Sequence, residues 1–176
     1  MTSNKLRELM IYIALKCEND PYFGAVKLNK ILFLIDFSAY VAWRTSITGS
    51  QYVAQEMGPV PQNLLRIRDD AIRQGDMTLR LQKLFGVTNP EHRLVALREP
   101  DLSFFSAREI ALIDAIIERV SSLNGRQLSQ WSHDFAGWKA AKKGDVIPYE
   151  TALISSEPPT PYELQRTQEL IQEQDW

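Results

Sequence analysis

The stretch Ala25–Trp43 constrains the fold more than any other part of this sequence. Its apolar residues recur at helical spacing along two stripes rather than one. The first stripe contains Leu28, Ile31, Leu32, Ile35 and Ala39, and the second contains Phe33, Leu34, Phe37, Tyr40 and Val41. A helix that is apolar on most of its sides is buried on most of its sides. We therefore expect a central helix with several other elements packed around it.

The segments on either side of this helix carry weaker local signals. Apolar residues at three- and four-residue intervals predict a first helix over residues 3–17. Tyr52–Gln55 is predicted to form a short strand that Gly58 and Pro59 end. Pro59 or Pro61 is then expected in the first turn of a third helix, where a missing N–H is tolerated, and Gly75 is expected to stop that helix.

The second half of the chain predicts a hairpin followed by helices. Residues 77–84 alternate between apolar and polar, and residues 92–97 are the expected partner strand. Ser106 and Glu109 form a capping-box pattern that opens a helix, which Asn124 and Gly125 are expected to break. A short helix over residues 126–133 and a helical turn over residues 137–142 follow. A second capping box, starting at Thr160, predicts a last helix.

Together these elements predict a mainly α fold of the α+β kind. A length of 176 residues suits one domain, so we expect a single domain over residues 1–176, with residues 160–176 as its C-terminal helix. The predicted architecture is a compact helical domain around a central buried helix. A small antiparallel hairpin or a three-stranded sheet accompanies the helices.

Composition narrows the classes of function. The 20 basic and 22 acidic residues give a net charge of -2, without the basic excess of a dedicated nucleic-acid binder. The longest apolar run, residues 31–35, is too short to cross a bilayer. No signal-peptide pattern is seen at the N-terminus, and the lone Cys17 cannot form an internal disulfide, so a cytoplasmic protein is expected. Cys17 lies on the apolar stripe of the first helix and is interpreted as a core residue.

The sequence contains no convincing catalytic or metal-binding motif. Ser132, His133 and Asp134 have the composition of a hydrolase triad, but consecutive residues on a helix point about 100° apart and cannot align. His133 is expected instead to hydrogen-bond a local carbonyl or carboxylate. Two histidines and one cysteine offer no zinc-ligand spacing, and the glycines form no phosphate-binding loop. We therefore predict no catalytic residue, no cofactor and no metal.

Several polar and aromatic residues still require an explanation. Asp36 lies within the apolar helix, and a buried carboxylate needs a fixed partner. Lys27 and Lys30 lie at the start of that helix, where an anion could bind, although a solvated helix end is the favoured interpretation. Trp131 and Trp138 flank His133, and core packing is favoured for them over contact with a partner.

Three blocks of the chain, taken in order, resemble the Panacea domain, also described as the SocA-like or phage-associated GepA-like antitoxin domain. The first block is residues 27–37, KLNKILFLIDF. The second is Ile47-Thr48-Gly49 leading to Gly58-Pro59-Val60. The third is residues 128–134, LSQWSHD, leading to residues 137–141 and to Ile147-Pro148-Tyr149. The resemblance extends over residues 6–150.

The resemblance implies an antitoxin that binds and neutralises the cognate toxin protein of a bacterial or prophage toxin–antitoxin pair. The SocA member implies an alternative, a proteolytic adaptor that presents its partner to the ClpXP protease. Some members carry an added DNA-binding domain, for which this chain has no room, and a homo-oligomer is compatible with the sequence. Structural or partner-binding roles are expected for Lys27, Lys30, Asp36, Gly58, Pro59, Trp131, His133 and Trp138.

Two further alternatives remain open at this stage. The first is a small-ligand-binding or enzymatic domain that uses Asp36, His133 and Lys30 in a shared cleft. The second is a phage-derived adaptor or structural protein.

Overall fold

The computed structural model describes residues 2–83 and 90–154 together with Gln165. Its elements in chain order are α1 (Thr2–Lys16), α2 (Ala25–Trp43), β1 (Tyr52–Gln55), β2 (Gly58–Pro61), α3 (Leu64–Arg73), β3 (Met77–Gln82), β4 (Glu91–Ala96), α4 (Ala107–Arg119), α5 (Gly125–His133), α6 (Ala136–Ala140) and β5 (Val146–Ile147). Two 3₁₀ turns cover Leu102–Phe104 and Tyr149–Leu153. Helices predominate over two small antiparallel sheets, which confirms the predicted fold class.

Helix α2 lies at the centre of the fold, as its sequence predicts. It packs against α1, α4, α5, β2, β4 and the second 3₁₀ turn. The core-facing side chains of Ile31, Leu32 and Ile35 have no exposed surface. The helix ends at Arg44, whose left-handed backbone (φ 58°) turns its N–H back to the carbonyl of Tyr40. Burial of most of its side chains makes α2 the centre around which the other elements pack.

The predicted hairpin forms and packs on α1. Strands β3 and β4 pair in the register Leu79↔Leu94, and residues 84–89 lie outside the described part of the chain. Arg93 on β4 is buried, and its guanidinium donates to the carbonyls of Cys17, Glu18 and Asp20. These carbonyls follow the last turn of α1, and those of Cys17 and Asp20 also accept turn hydrogen bonds from the N–H groups of Asp20 and Phe23. Arg93 therefore joins the hairpin to the end of the first helix.

The second sheet corrects one prediction. Gly58 and Pro59 do not end the strand pairing, and Pro59 and Pro61 do not open a helix, because both prolines belong to β2. The sheet order is β2-β1-β5, which makes β2 an edge strand. The N–H of Gln62 donates to Gln51, so the nitrogens of the two prolines face away from β1. An edge strand tolerates proline at such positions, since no ladder bond is lost. Helix α3 starts only at Leu64.

Local capping signals define the later helices. The Ser106–Glu109 capping box is present at the start of α4, as predicted. Asn124 and Gly125 do separate α4 from α5, but Asn124 also caps α5 through the N–H of Gln127, which the sequence analysis missed. The predicted capping box at Thr160 lies outside the described residues.

None of the described helices is long and apolar enough to cross a membrane.

Candidate partner-binding site

Asp36 ties the middle of α2 to the segment that precedes β1. Its carboxylate is fully buried and accepts hydrogen bonds from the N–H of Thr48 (2.8 Å), the hydroxyl of Thr48 (2.5 Å) and the hydroxyl of Tyr52 (2.9 Å). Burial raises the pKa of Asp36, and these hydrogen bonds oppose the rise. The prediction that Asp36 has fixed partners is confirmed. All of its bonds go to structural groups inside the core.

Lys30 ties α2 to the turn between β1 and β2. Its side chain is 1% exposed, and its ammonium donates to the carbonyl of Met57. The same carbonyl accepts from the hydroxyl of Ser129 on α5 (3.3 Å). Burial lowers the pKa of Lys30 to about 8. The β1–β2 turn therefore rests on both α2 and α5 through one backbone carbonyl.

Lys27 holds the chain that joins α4 to α5. Its ammonium donates to the carbonyls of Ser121 (3.0 Å) and Leu123 (2.7 Å) and pairs with the carboxylate of Asp20 at 2.6 Å. The interpretation of Lys27 and Lys30 as a solvated helix end is therefore wrong. Both side chains are 1% exposed, because carbonyls left free by distant turns converge on the start of α2.

Trp138 and His133 form a stacked pair beneath β1. Their rings lie 4.1 Å apart at an interplanar angle of 10°, and the indole N–H donates to the carbonyl of Gln55 at 3.0 Å. The prediction that His133 hydrogen-bonds a local carbonyl or carboxylate is wrong, since its buried Nε2 has no partner among the described residues. Trp138 packs against the core, in agreement with the favoured interpretation.

Trp131 differs from Trp138 because it faces outward. It is 48% exposed and borders a cavity of about 380 Å³ between α2, α5 and the second 3₁₀ turn. This cavity and a smaller one that adjoins it at Leu34, Ser38 and Trp131 are together called the α2–α5 groove. The lining residues of the larger cavity are Phe33, Leu34, Phe37, Ser38, Val41, Trp131, Ser132, Asp134, Phe135 and Ala152. Core packing is therefore the wrong interpretation for Trp131.

The smaller cavity of the groove, of about 210 Å³, continues from the first toward α4. The two cavities share Leu34, Ser38 and Trp131. Arg119 lines only the smaller cavity, Asp134 lines only the larger one, and both side chains are exposed. The groove is thus mainly apolar, with a basic residue in one cavity and an acidic residue in the other.

The arrangement of Ser132, His133 and Asp134 does not form a catalytic relay. The hydroxyl of Ser132 donates to the carbonyl of Ser129 (2.8 Å), and Asp134 pairs with Lys139 (3.1 Å) at the surface. The His133 ring stacks on Trp138, and its buried Nε2 has no hydrogen-bond partner among the described residues. The described residues also hold no group of three or more His, Cys, Asp or Glu side chains placed to bind a metal.

Asp36, Lys30 and His133 do not form the shared cleft of the enzymatic alternative in the part of the chain that the structure describes. Asp36 bonds to Thr48 and Tyr52, Lys30 bonds to Met57, and the His133 ring stacks on Trp138. None of the three lines either cavity of the α2–α5 groove. Val41, Ser38 and Arg119 were not predicted as site residues, since helical periodicity does not distinguish a side chain that faces the core from one that lines a surface groove.

A family model described as "Antitoxin SocA-like, Panacea domain" matches residues 28–139. The matched region runs from α2 to α6 and covers well over half of the chain. It includes the residues named above for the contacts of Asp36, Lys30 and Trp138 and for the α2–α5 groove, apart from Ala152. Asp20 and Lys27 also lie outside it. No curated protein and no solved structure matches the chain.

Proposed function

The chain belongs to the family of SocA-like antitoxins with a Panacea domain, and we propose that it binds and neutralises a cognate toxin protein of a bacterial or prophage toxin–antitoxin pair. The family match over residues 28–139 is the observation that carries the proposal. A pair of this kind acts in the cytoplasm, and we expect the protein there.

The α2–α5 groove supports this proposal as a surface for binding a protein. Contiguous exposed apolar surface is typical of interaction sites, and tryptophan is enriched among the residues that carry binding energy. Asp36 and Lys30, which are among the expected structural residues, fix the elements around α2 before any partner arrives. A site that is already ordered loses less conformational entropy on binding, so more of its contact energy appears as affinity.

Coexpression with the product of the adjacent open reading frame tests the proposal. We expect that product to arrest growth when expressed alone, and growth to recover when this chain is expressed with it. The two proteins should also copurify. A neighbour that inhibits growth and is neither rescued nor bound would overturn the proposal.

The fate of the toxin separates neutralisation from the adaptor alternative. A neutraliser leaves the toxin present at an unchanged level, held in a complex. An adaptor lowers the level of the toxin, and the toxin returns when the ClpXP protease is deleted. Immunoblotting of the toxin with and without this chain, in strains with and without the protease, decides between the two.

A further inference from the structure

We propose that the α2–α5 groove binds a single amphipathic α-helix of the partner protein, with its apolar face on Trp131, a basic residue at the Asp134 end and an acidic residue at the Arg119 end. This inference rests on the proposed function, because it names the part of the toxin that the groove receives. The proposed occupant is one helix of the partner, with its charged residues in a defined order.

The groove has the shape that a helix requires. Most of its wall is formed by the helices α2, α4 and α5, with Phe135 and Ala152 completing the larger cavity. Helices pack by placing the side chains of one into the grooves of another. The two cavities adjoin at Leu34, Ser38 and Trp131. Side chains one turn apart on a helix are separated by about 5–6 Å, so two successive apolar residues of a partner helix suit two adjoining cavities.

The apolar surface of the groove is open to solvent. Trp131 on α5 and Val41 on α2 each keep 48% of their surface exposed. A large apolar side chain that remains half exposed gains binding energy when a partner covers it. An apolar stripe on the partner helix would cover both residues at once.

The floor of the groove is fixed by aromatic contacts. The ring of Phe135 lies 5.2 Å from that of Phe33 and 5.3 Å from that of Phe37, both in edge-to-face geometry. The hydroxyl of Ser132 is held by the carbonyl of Ser129. These contacts are present without any partner, so the groove does not have to form on binding.

The neighbouring sheet edge argues against strand addition as the binding mode on that side. Strand β2 is an edge strand, but Pro59 and Pro61 leave it without N–H donors facing outward. A partner strand needs those donors to extend the ladder. A helix needs none, because its backbone groups are paired internally.

The charges at the two ends set the direction of the bound helix. Arg119 is exposed and has no salt bridge among the described residues. An acidic residue of the partner would therefore pair with Arg119 without displacing an existing carboxylate. Among the described residues Asp134 is paired only with Lys139, and both side chains are more than half exposed. An exposed pair of this kind contributes at most about 1 kcal/mol, so a basic partner residue can replace Lys139. Opposite charges at opposite ends favour one orientation over its reverse.

The test measures binding of the full chain to the copurifying toxin and to overlapping 20-residue peptides that tile it. We expect one amphipathic peptide to compete with the whole toxin. Trp131→Ala should weaken binding at least about thirty-fold, the effect of losing a central tryptophan anchor. Leu65→Ala is the matched control, because Leu65 is 61% exposed on α3, away from the groove, and this variant should bind as the parent does.

Charge reversal tests the orientation. Arg119→Glu should weaken binding about five-fold, and a peptide in which the facing acid is replaced by Lys should restore it. Thermal unfolding should show that Trp131→Ala and Arg119→Glu remain folded, so a lost signal reports binding.

The outcomes are separable. If the chain neutralises the toxin but Trp131→Ala binds as tightly as the parent, the inference is wrong and the proposed function stands. The inference is also wrong, and the proposed function again stands, if Trp131→Ala changes the oligomeric state and leaves toxin binding unchanged. The groove would then bind a second copy of this chain. If no neighbouring product is bound or neutralised, both the proposed function and the inference fail.

Discussion

Gly58 and the ammonium group of Lys30 lie so close together that no side chain fits between them. A Cβ atom on Gly58 would lie 2.6 Å from the hydroxyl oxygen of Ser132 and closer still to Nζ of Lys30. Gly58 also has φ +105°, a conformation that residues with side chains rarely adopt. The β1–β2 turn is therefore held at a point where α2 and α5 both approach the backbone.

The first prediction concerns this close approach. Gly58→Ala should lower the free energy of unfolding by about 3 kcal/mol, since it adds both backbone strain and a clash with Lys30 and Ser132. Gly144→Ala is the matched control, because Gly144 has φ +94° and nothing within 4 Å of its Cβ position. That variant carries the strain alone and should lose about 1–2 kcal/mol. Urea denaturation measures both, and equal losses would show that the clash is absent.

The second prediction concerns the pH dependence that Lys30 imposes. Its pKa is about 8 in the folded protein, against 10.5 for an unperturbed lysine. Between these values the unfolded chain binds more protons than the folded one, so stability rises with pH in this window. The rise is about 3 kcal/mol. Lys30→Met removes this pH-dependent rise in stability. The unfolding free energy of the parent minus that of the variant should therefore increase from pH 7.5 to pH 10.5.

An exposed lysine provides the control for that measurement. Lys143→Met changes a side chain at the surface, so its stability profile should run parallel to that of the parent. A Lys30→Met profile that also runs parallel would show that Lys30 titrates as an ordinary lysine and is not buried.

The elements that sequence predicted well are those specified by neighbouring residues. Periodicity over a few turns placed α2, alternation placed the β3–β4 hairpin, and the Ser106–Glu109 pair placed the start of α4. Each of these signals is contained within one stretch of chain. Strand β5 was missed because it is two residues long and exists only through pairing with β1, more than ninety residues earlier.

The candidate site depended on contacts that no local pattern contains. Lys27 is buried because the carbonyls of Ser121 and Leu123, 94 and 96 residues away, fold onto it. Trp131 and Trp138 are seven residues apart and chemically identical, yet one faces solvent and the other the core. Their difference follows from the break between α5 and α6 and from the position of β1, which are properties of the assembled fold.

The third prediction concerns Asp36. Asp36→Ala should lower the free energy of unfolding by about 4 kcal/mol, because it leaves the Thr48 and Tyr52 donors buried without an acceptor. Asp36→Asn keeps one oxygen acceptor and should lose less. The pKa of Asp36 is raised in the folded protein, so protonated Asp36 stabilises the fold. This contribution to the free energy of unfolding is complete below the pKa of the unfolded state and declines as pH rises through the pKa of the folded state. The gap between the parent and Asp36→Asn should therefore narrow as pH rises from about 4, measured by denaturation at each pH.

The fourth prediction concerns the lone thiol. Cys17 is 2% exposed, and burial together with the nearby Asp20 raises its pKa to about 12. A thiol reagent reacts with the thiolate, so both access and ionisation are suppressed in the folded state. Labelling at pH 8 should be negligible without denaturant and should follow the unfolding curve as urea is added. Rapid labelling of the folded protein would place Cys17 at the surface.

The final prediction separates the two tryptophans by their effect on stability. Trp138→Ala removes a ring packed against the core, its stack on His133 and its hydrogen bond to Gln55, and should lower the free energy of unfolding by about 2–3 kcal/mol. Trp131→Ala removes a side chain that is already half in water and should lower it by less than about 1 kcal/mol. Urea denaturation followed by circular dichroism gives both values without relying on tryptophan fluorescence. Equal losses at the two positions would mean that Trp131 belongs to the core and that the α2–α5 groove is closed in solution.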